Sequence, residues 1–409
     1  MELKIIKGST NDAKDVLDIK TDNTHIAVTF GEDIGTGNLL GEFNPAIDGL
    51  TSGNASYDGL IVLKNPENSG VMRHCLNDVP VIMERKLQSS YEACCDFWRT
   101  ERHTNITTLE EKQRYQIKDI AITFFIVDNS NYNTAIVLIE SQDGKKVVVS
   151  GDFRDYNGSY NKAKFDEIIK TINSADFVFV DGTSIGHFGG EYTSGKEVDD
   201  KLKNIMKLYK QIFIVQSETD TIMASYMYEA AQRTKKIFVE SSLLCNNTSI
   251  FNGSCPSPIK DKKVYCYNPL SYESESFEFK KKYIAPFFIH NATDRLKKDR
   301  YAMNITCDML QDIQILDKNG SCNDAALIFA QSKNNISQTA ESFIKTMKDL
   351  SFDYYELYIR GKVNINMLVG LERLLEPKNI ILLDFDGQTN EITELESLRV
   401  LKDNEIINI

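Results

Sequence analysis

Val149-Ser150-Gly151-Asp152-Phe153-Arg154 is the stretch that decides the fold of this 409-residue chain. It continues an apolar, β-branched run that begins at Val147, so a strand is predicted to end just before the carboxylate of Asp152. The apolar residues of the next segment recur at the i, i+3, i+4, i+7 spacing of one helix face, and the run 177–180 predicts another strand. This order of strand, helix and strand indicates an α/β fold with mostly parallel strands. The helix-face residues are Phe165, Ile168, Ile169 and Ile172.

The same alternation continues towards the end of the chain. It predicts strands at 212–215, 237–239, 326–329, 354–359 and 380–383, with helices at 202–209, 222–231, 340–350 and 367–375. Residues 241–290 are rich in Asn, Ser, Pro, Gly and Tyr, and irregular loops are predicted there. The first 140 residues differ, because strands and hairpin turns such as Asp143-Gly144 dominate.

The composition limits the class of protein. A chain of this length with 42% hydrophobic residues can bury at least one large core and suggests two or three domains. No apolar run reaches the roughly 20 residues that span a bilayer, and the sequence opens in a strand-like pattern without a signal peptide, so we expect a cytoplasmic protein with no membrane partner. The eight cysteines form no C-x-x-C pair of the kind that binds zinc, and reduced thiols are expected.

Motifs along nearly the whole chain resemble the ribonuclease J and β-CASP branch of the metallo-β-lactamase superfamily, whose members are mostly nucleases. Residues 149–154 are similar to the family's Thr-Gly-Asp-Phe-Arg, in which the Asp bridges two metals, and this match is the most specific. Residues 176–183 resemble its strand ending in Glu-Gly-Thr. The weaker matches are its opening strands at 3–8 and 26–31, the strand and helix around its metal loop at 57–62 and 71–83, the start of its inserted domain at 217–231, and its last hairpin at 400–406.

The resemblance implies a particular α/β architecture. It is a metallo-β-lactamase-like four-layer αββα sandwich with an inserted β-CASP-like α/β domain. Residues 1–188 are expected to form the first part of the sandwich, 189–350 the inserted domain, and 351–409 the closing part of the sandwich.

The family's metal ligands are almost all replaced in this sequence. Its loop His-x-His-x-Asp-His-x-Gly falls on residues 63–70, its Val-Asp-His-Ser falls on 127–130, and two further histidines fall on 362 and 384. None of the five histidines of the chain aligns with a ligand position, and only Asp152 is unchanged. The degenerate positions are Leu63, Asn65, Glu67, Asn68, Asn129, Lys362 and Asp384.

We therefore expect no zinc cofactor. A leucine has no donor atom, and the amide oxygens of asparagines are poor zinc ligands in place of imidazoles. A vestigial metal site of Glu67, Asp152 and Asp384 is kept as an alternative. Three converging carboxylates would repel one another, so they require a positive partner. That partner could be a weakly bound Mg, Mn or Ca ion. The side chain of Lys362 or Arg154 is favoured, because losing imidazoles while gaining a lysine replaces metal charge with side-chain charge.

Three functional hypotheses follow. The leading one is an inactive relative of the β-CASP nucleases. Such a pseudoenzyme would bind a protein partner or an active paralogue through the cleft between its two domains, where the family has its active site. The second is a hydrolase or nuclease that uses an oxygen-ligated Mg, Mn or Ca ion at Glu67, Asp152 and Asp384. The third is a nucleic-acid-binding module without chemistry. The net charge of −12 disfavours an RNA partner, because such binding is driven by Lys and Arg that release counterions.

Overall fold

The structure, a computed structural model, describes most of the chain. The described residues are 1–7, 16–29, 46–63, 70–126, 135–150, 159–182, 195–250, 261, 263–267, 279, 282, 296, 298–318, 324–330, 338–357, 365–383 and 395–409. The fold is α/β, as predicted, with three sheets among these residues.

The first sheet has seven described strands. In spatial order they are β20 (Ile406–Asn408), β1 (Glu2–Lys7), β2 (Val16–Lys20), β3 (His25–Thr29), β4 (Gly59–Val62), β5 (Val81–Glu84) and β6 (Ile106–Leu109). The pairs from β20 to β3 are antiparallel, and those from β3 to β6 are parallel. The carboxyl ends of β3 to β6 therefore lie at one edge of this sheet.

The second sheet also has seven described strands. In spatial order they are β19 (Leu398–Val400), β18 (Asn379–Leu383), β11 (Phe177–Asp181), β10 (Lys146–Ser150), β9 (Ala135–Ser141), β8 (Ile120–Ile126) and β7 (Arg114–Ile117). β9 and β10 form an antiparallel hairpin at the predicted Asp143-Gly144 turn, where Gly144 has φ +83°. That left-handed conformation suits glycine, which has no Cβ.

The two sheets share one core, which explains the continuous apolar runs in their strands. Along β8 and β10, side chains alternate between this core and a second one on the far face: Phe124 and Val149 lie in the first, and Phe125 and Val148 in the second. The far face is covered by α3 (Ser159–Ile172) and α9 (Ile365–Leu375). The first sheet contacts α2 (Arg85–Trp98) at β5 and β6, and the short α1 (Gly70–His74) precedes β5.

The third sheet is parallel throughout its six described strands. In spatial order they are β14 (Val264–Tyr267), β13 (Ile237–Ser241), β15 (Tyr301–Ile305), β12 (Gln211–Val215), β16 (Ala325–Phe329) and β17 (Asp353–Glu356). The flanking elements are α4 (Gly195–Leu208), α5 (Thr221–Arg233), α6 (Ser242–Ile250), a 3-10 helix (Cys307–Met309), α7 (Leu310–Lys318) and α8 (Gln338–Asp349).

Each face of the third sheet packs against its own helices. α4, α5 and Leu244 of α6 pack on one face, and α7 and α8 pack on the other. In the sequence, all six strands lie between β11 and β18, which are parallel neighbours in the second sheet. The third sheet is therefore an insertion between two adjacent strands of the second.

α2 and α6 join the first sheet's layer to the third sheet. Cys94 and Phe97 of α2 pack with Leu243 and Cys245 of α6 in a small buried cluster. α2 begins where the carboxylate of Glu84 accepts hydrogen bonds from the backbone N–H groups of Lys86 and Leu87, at 2.7 and 3.2 Å. That cap satisfies two backbone donors that have no partner within the helix.

Three predictions were wrong. Residues 241–290 are not irregular throughout, since α6 and β14 lie within them. Three polar residues of α6, Asn246, Asn247 and Thr248, are buried, so its sequence has no polar outer face to indicate a helix.

Residues 400–406 do not form a hairpin, because β19 pairs with β18 in the second sheet whereas β20 pairs with β1 in the first.

The strands and helices predicted from residue 165 onwards are otherwise confirmed within the described residues, although the helix predicted at 202–209 begins already at Gly195 and the strand predicted at 354–359 ends at Glu356. The helix expected at 71–83 is not one helix, because α1 ends at His74 and β5 begins at Val81. The domain boundaries stay predictions. No helix in the described part of the chain is both long and apolar enough to cross a membrane.

Candidate functional site

Leu63, one of the predicted metal-ligand positions, lies at an edge where the first two sheets meet. Leu63 follows β4, and its N–H donates to the carbonyl of Thr29, the last residue of β3, at 3.1 Å. The carbonyl of Leu63 accepts from the N–H of Ala135, the first residue of β9, at 2.7 Å. Because β9 belongs to the second sheet, the backbone of Leu63 links the two sheets at this edge.

Strand ends of the second sheet lie at the same edge. Ser150, which ends β10, is in register with Val180 of β11, and Asp181 is in register with Leu383 of β18. The N–H of Gly182 donates to the carbonyl of Leu383 at 2.6 Å. β10 and β18, with β11 between them, thus end side by side shortly before the sequence positions of Asp152 and Asp384.

Leu63 is the one predicted site residue within the described part of the chain. Its side chain is fully buried in the core cluster to which residues of both sheets contribute. Since that side chain has no donor atom and its carbonyl already accepts from Ala135, this position does not fit a metal ligand. The remaining predicted site residues lie outside the described residues: Asn65, Glu67, Asn68, Asn129, Asp152, Lys362 and Asp384.

Among the residues that the structure describes, no group of three or more His, Cys, Asp or Glu side chains is arranged to hold a metal ion. The described residues do form a second candidate site, which the sequence reasoning missed. It lies at the carboxyl edge of the third sheet. There the neighbouring strands β12 and β15 are followed by connections on opposite faces, α5 on one and α7 on the other. In open α/β sheets, ligands bind at such switch points.

Ser241, the last residue of β13, connects two buried polar side chains at this switch point. Its N–H donates to Oδ1 of Asn304 in β15 at 3.4 Å. Its hydroxyl lies close enough to the carboxyl group of Glu218, in the segment that follows β12, to act against the rise in the pKa of that carboxyl. Glu218 is 7% exposed and Asn304 is fully buried, so Ser241 holds both side chains together out of solvent.

Several buried polar atoms at this edge have no hydrogen-bond partner. Phe238, Ala302 and Ile214 face the core beneath α5, so the residues two positions further along each strand lie on the same face. Those residues are Glu240, Asn304 and Gln216. The unpartnered atoms are Oε1 of Gln216, Glu218 and Glu240, Nδ2 of Asn304, and Oγ of Ser242. An unpaired buried polar atom costs about 1–3 kcal/mol, so the group calls for a ligand or ordered water.

Electrostatics favour protonated carboxyl groups in this cluster. Burial raises the pKa of Glu218 to about 7, with the hydroxyl of Ser241 opposing the rise and the carboxylate of Asp308 adding to it. Burial raises the pKa of Glu240 well above its usual range, although the hydroxyl of Thr248 donates to Oε2 at 3.2 Å. Within the described chain, no group acting on either carboxyl carries a positive charge.

The cluster is also tied to α2. The side-chain N–H of Asn247 in α6 donates to the backbone carbonyl of Glu218 at 3.1 Å. Oδ1 of the same asparagine accepts from the hydroxyl of Ser90 in α2 at 2.6 Å. The position of Glu218 therefore depends on a contact with a helix that packs on the first sheet.

A polar run in the sequence was the available signal for this site. Gln216-Ser217-Glu218-Thr219-Asp220 directly follows the apolar strand β12, and every one of these residues is buried. Ser241 and Asn304 are far from it in sequence. Only the register of the parallel strands brings them together.

Neither a scan against protein-family models nor a search of curated proteins finds a match to this sequence. Among solved structures, the chain is similar to a protein of unknown function from Enterococcus faecalis V583. That likeness has a TM-score of 0.66 at 12% identity and covers 99% of each chain. The metallo-beta-lactamase fold protein YhfI from Bacillus subtilis is matched with a TM-score of 0.29 at 12% identity, over 44% of this chain and 70% of that chain, which is too low to support an argument. The chain thus shares its fold, over nearly its whole length, with the Enterococcus protein.

Proposed function

We propose that this chain is a pseudoenzyme: a catalytically inactive relative of the ribonuclease J and β-CASP branch of the metallo-β-lactamase superfamily that serves a binding or assembly role. Its partner is another protein or an active paralogue, which docks at the edge where the first two sheets meet. The proposal concerns the scaffold as a binding surface, since fold and function separate readily in evolution.

The layout of the sheets supports the family assignment. Two sheets with seven described strands each share a core, helices pack on the far face of the second sheet and against β5 and β6 of the first, and a parallel α/β unit is inserted between β11 and β18. This is the order that a sandwich with an inserted β-CASP-like domain would have. The match of residues 149–154 to the family motif adds to it.

The burial of Leu63 is the observation that best supports the loss of metal-dependent hydrolysis. A metal ligand at this position would project a nitrogen or oxygen atom into the cleft. Instead an aliphatic side chain is fully buried in the apolar core cluster. Two-metal hydrolysis needs paired ions about 3.5–4 Å apart, and each lost ligand weakens the binding of both.

Metal content and hydrolysis test the loss of catalysis. We expect purified protein, prepared without chelator, to contain far less than one Zn, Mn or Fe ion per chain by elemental analysis. We expect no cleavage of single-stranded RNA or of bis(p-nitrophenyl) phosphate with added Zn, Mn, Mg or Ca. Two near-stoichiometric transition-metal ions per chain would contradict the proposal.

Site-specific photo-crosslinking tests the binding role. A photoreactive amino acid in place of Asn65, two positions after Leu63 in the sequence, is expected to capture a discrete protein in cells. The matched control carries the same group in place of Asp143, which is exposed in the β9–β10 hairpin at the opposite end of β10. Equal adducts at both positions, or none at position 65, would count against a docking surface at this edge.

A second candidate function is a hydrolase with an oxygen-ligated Mg, Mn or Ca ion at Glu67, Asp152 and Asp384. The observation that favours it is the adjacency of β10, β11 and β18, since the positions of Asp152 and Asp384 follow strands only about 10 Å apart. It predicts phosphodiester cleavage that is abolished both by chelator and by Asp152→Asn. Activity that survives both changes would exclude it, and Asp143→Asn is the matched control.

A further inference from the structure

We propose that the buried polar groups at the switch point between β12 and β15, at the carboxyl edge of the third sheet, bind a small zwitterion with an ammonium group and a carboxylate, the class of free α-amino acids. This inference goes beyond the proposed pseudoenzyme role and does not depend on whether the first site hydrolyses anything. Its residues are Gln216, Glu218, Glu240, Ser242 and Asn304, called the switch-point cluster from here on.

The acceptor atoms of the cluster call for a cationic donor. Oε1 atoms of Gln216, Glu218 and Glu240 are buried and unpartnered, and the carboxylate of Asp308 acts on Glu218. None of the described groups acting on the two buried glutamates is a cation. An ammonium group has three N–H donors and a positive charge, so it can satisfy up to three of these oxygens and stabilise the ionised carboxylates.

The donor atoms of the cluster call for an anionic acceptor on the same ligand. Nδ2 of Asn304 and Oγ of Ser242 are unpartnered, and both are fully buried. Ser242 is the first residue of α6, a nine-residue helix whose N-terminal end favours negative charge. Ser241, the residue before it, donates its N–H to Oδ1 of Asn304 and has its hydroxyl next to the carboxyl of Glu218, so one of the donors and one of the acceptors lie beside the same residue.

Because the switch-point cluster has both unpartnered donors and unpartnered acceptors, simpler ligands do not fit it. A metal ion would leave the amide N–H of Asn304 unsatisfied, because a cation accepts no hydrogen bond. A free anion would leave Oε1 of Gln216 unsatisfied, because an amide oxygen and an anion are both acceptors. Ordered water could satisfy single atoms, but it brings no charge to the glutamates. A zwitterion supplies both kinds of group in one molecule.

Binding of the full chain to individual free L-amino acids tests the proposal. Titration calorimetry and thermal-shift measurements are run on each of the common L-amino acids, with methylammonium chloride and sodium acetate as single-charge probes. We expect at least one amino acid to bind saturably and raise the melting temperature by mass action. We expect each single-charge probe to bind at least tenfold more weakly.

The pH dependence of binding identifies the glutamate. Glu218 faces the hydroxyl of Ser241 from β13 and the carboxylate of Asp308 from the 3-10 helix. Its ionised fraction rises from about a tenth at pH 6 to about nine tenths at pH 8, so affinity should rise about tenfold over that range. At pH 7 binding should release protons, which is seen as a binding enthalpy that varies with the ionisation enthalpy of the buffer.

Three variants separate the cluster from general effects on folding. Glu218→Gln keeps the shape of the side chain and should weaken binding at least tenfold while abolishing its pH dependence. Ser242→Ala removes one donor and should weaken binding several-fold. The matched control is Glu84→Gln, another buried glutamate with a raised pKa that caps α2 instead, and it should bind as wild type does.

Two outcomes would overturn the inference. One is that no amino acid binds the folded wild-type chain, which would leave water as the occupant. The other is that Glu218→Gln and Ser242→Ala bind with wild-type affinity, which would place the ligand elsewhere. Neither outcome bears on the metal content or hydrolysis expected of the first site.

Discussion

The hydroxyl of Ser90 in α2 donates a hydrogen bond of 2.6 Å to Oδ1 of Asn247 in α6, although the two residues are 157 positions apart. Both are fully buried, and Asn247 also donates to the carbonyl of Glu218. One side-chain pair therefore connects the helix on the first sheet to the switch-point cluster of the third.

Replacing Ser90 with alanine should destabilise the fold. The variant leaves Oδ1 of Asn247 without the donor from α2, which costs about 1–3 kcal/mol for a buried acceptor. The urea midpoint measures the effect. The matched control is Ser89→Ala, whose more exposed hydroxyl donates only within α2 to the carbonyl of Arg85, and it should change the midpoint little. Equal effects of the two variants would show that the bond to Asn247 contributes nothing.

Restoring the family's histidine at position 63 should damage the protein rather than revive it. Leu63→His places a polar ring in the apolar core cluster, where we expect a loss of about 2–5 kcal/mol in the free energy of unfolding. Leu63→Met conserves volume and should cost under about 1.5 kcal/mol. Stoichiometric zinc in a stably folded Leu63→His variant would show that the ligand position is intact.

The stability of the fold should decrease with rising pH because of Glu218. Its pKa is about 7 in the folded chain against a usual 4.5, so between these values the folded state keeps a proton that the unfolded state has released. The stabilisation is complete below pH 4.5 and is lost as the pH rises to 7, with a total on the order of 3 kcal/mol. Glu218→Gln should flatten this slope in urea titrations at a series of pH values.

Asp119 provides a control, because its contribution to stability changes with pH in the opposite direction. Burial acts to raise its pKa, but hydrogen bonds from the hydroxyls of Thr24 and Thr21 outweigh burial and lower it. Its contribution is present above the usual value of 3.8 and is lost as the pH falls through the folded pKa. Asp119→Asn should therefore flatten only the acid side of the stability profile. A wild-type profile that rises from pH 5 to 7 would contradict the assignment to Glu218.

Thiol labelling should distinguish the folded chain from the unfolded one. A hydrogen bond with Cys266 and burial raise the pKa of Cys245, and burial raises the pKa of Cys75 to about 12. Because the thiolate is the reactive form, iodoacetamide at pH 8 should leave both unlabelled until urea unfolds the chain. Peptide mass spectrometry measures each site, and fast labelling of Cys245 in the folded state would contradict its burial.

Local patterns were enough to predict much of the architecture. The helix over 165–172 and the strand over 177–180 follow from spacing and apolar runs, and the Asp143-Gly144 turn follows from the need for a left-handed residue. These signals act within a few residues. Burial by distant elements does not need to be known to recognise them.

Elements that depend on distant contacts were missed. β15 carries Asn304 in a fully buried strand, and α6 buries Asn246 and Asn247 against other elements, so neither shows the pattern of its class. The end of the chain was wrongly predicted as a hairpin because nothing local indicates that β19 and β20 belong to different sheets. The switch-point cluster was missed for the same reason, since Glu218 meets Ser241 only through the packing of the third sheet.

The insertion between β11 and β18 imposes an order on folding. As the chain emerges from the ribosome, β11 is made some two hundred residues before its partner, and until then it is an open strand edge. The inserted parallel sheet, by contrast, has all its strands in one continuous stretch of sequence. We therefore expect it to form first and to bring the ends of β11 and β18 together, which shortens the loop that the second sheet must close.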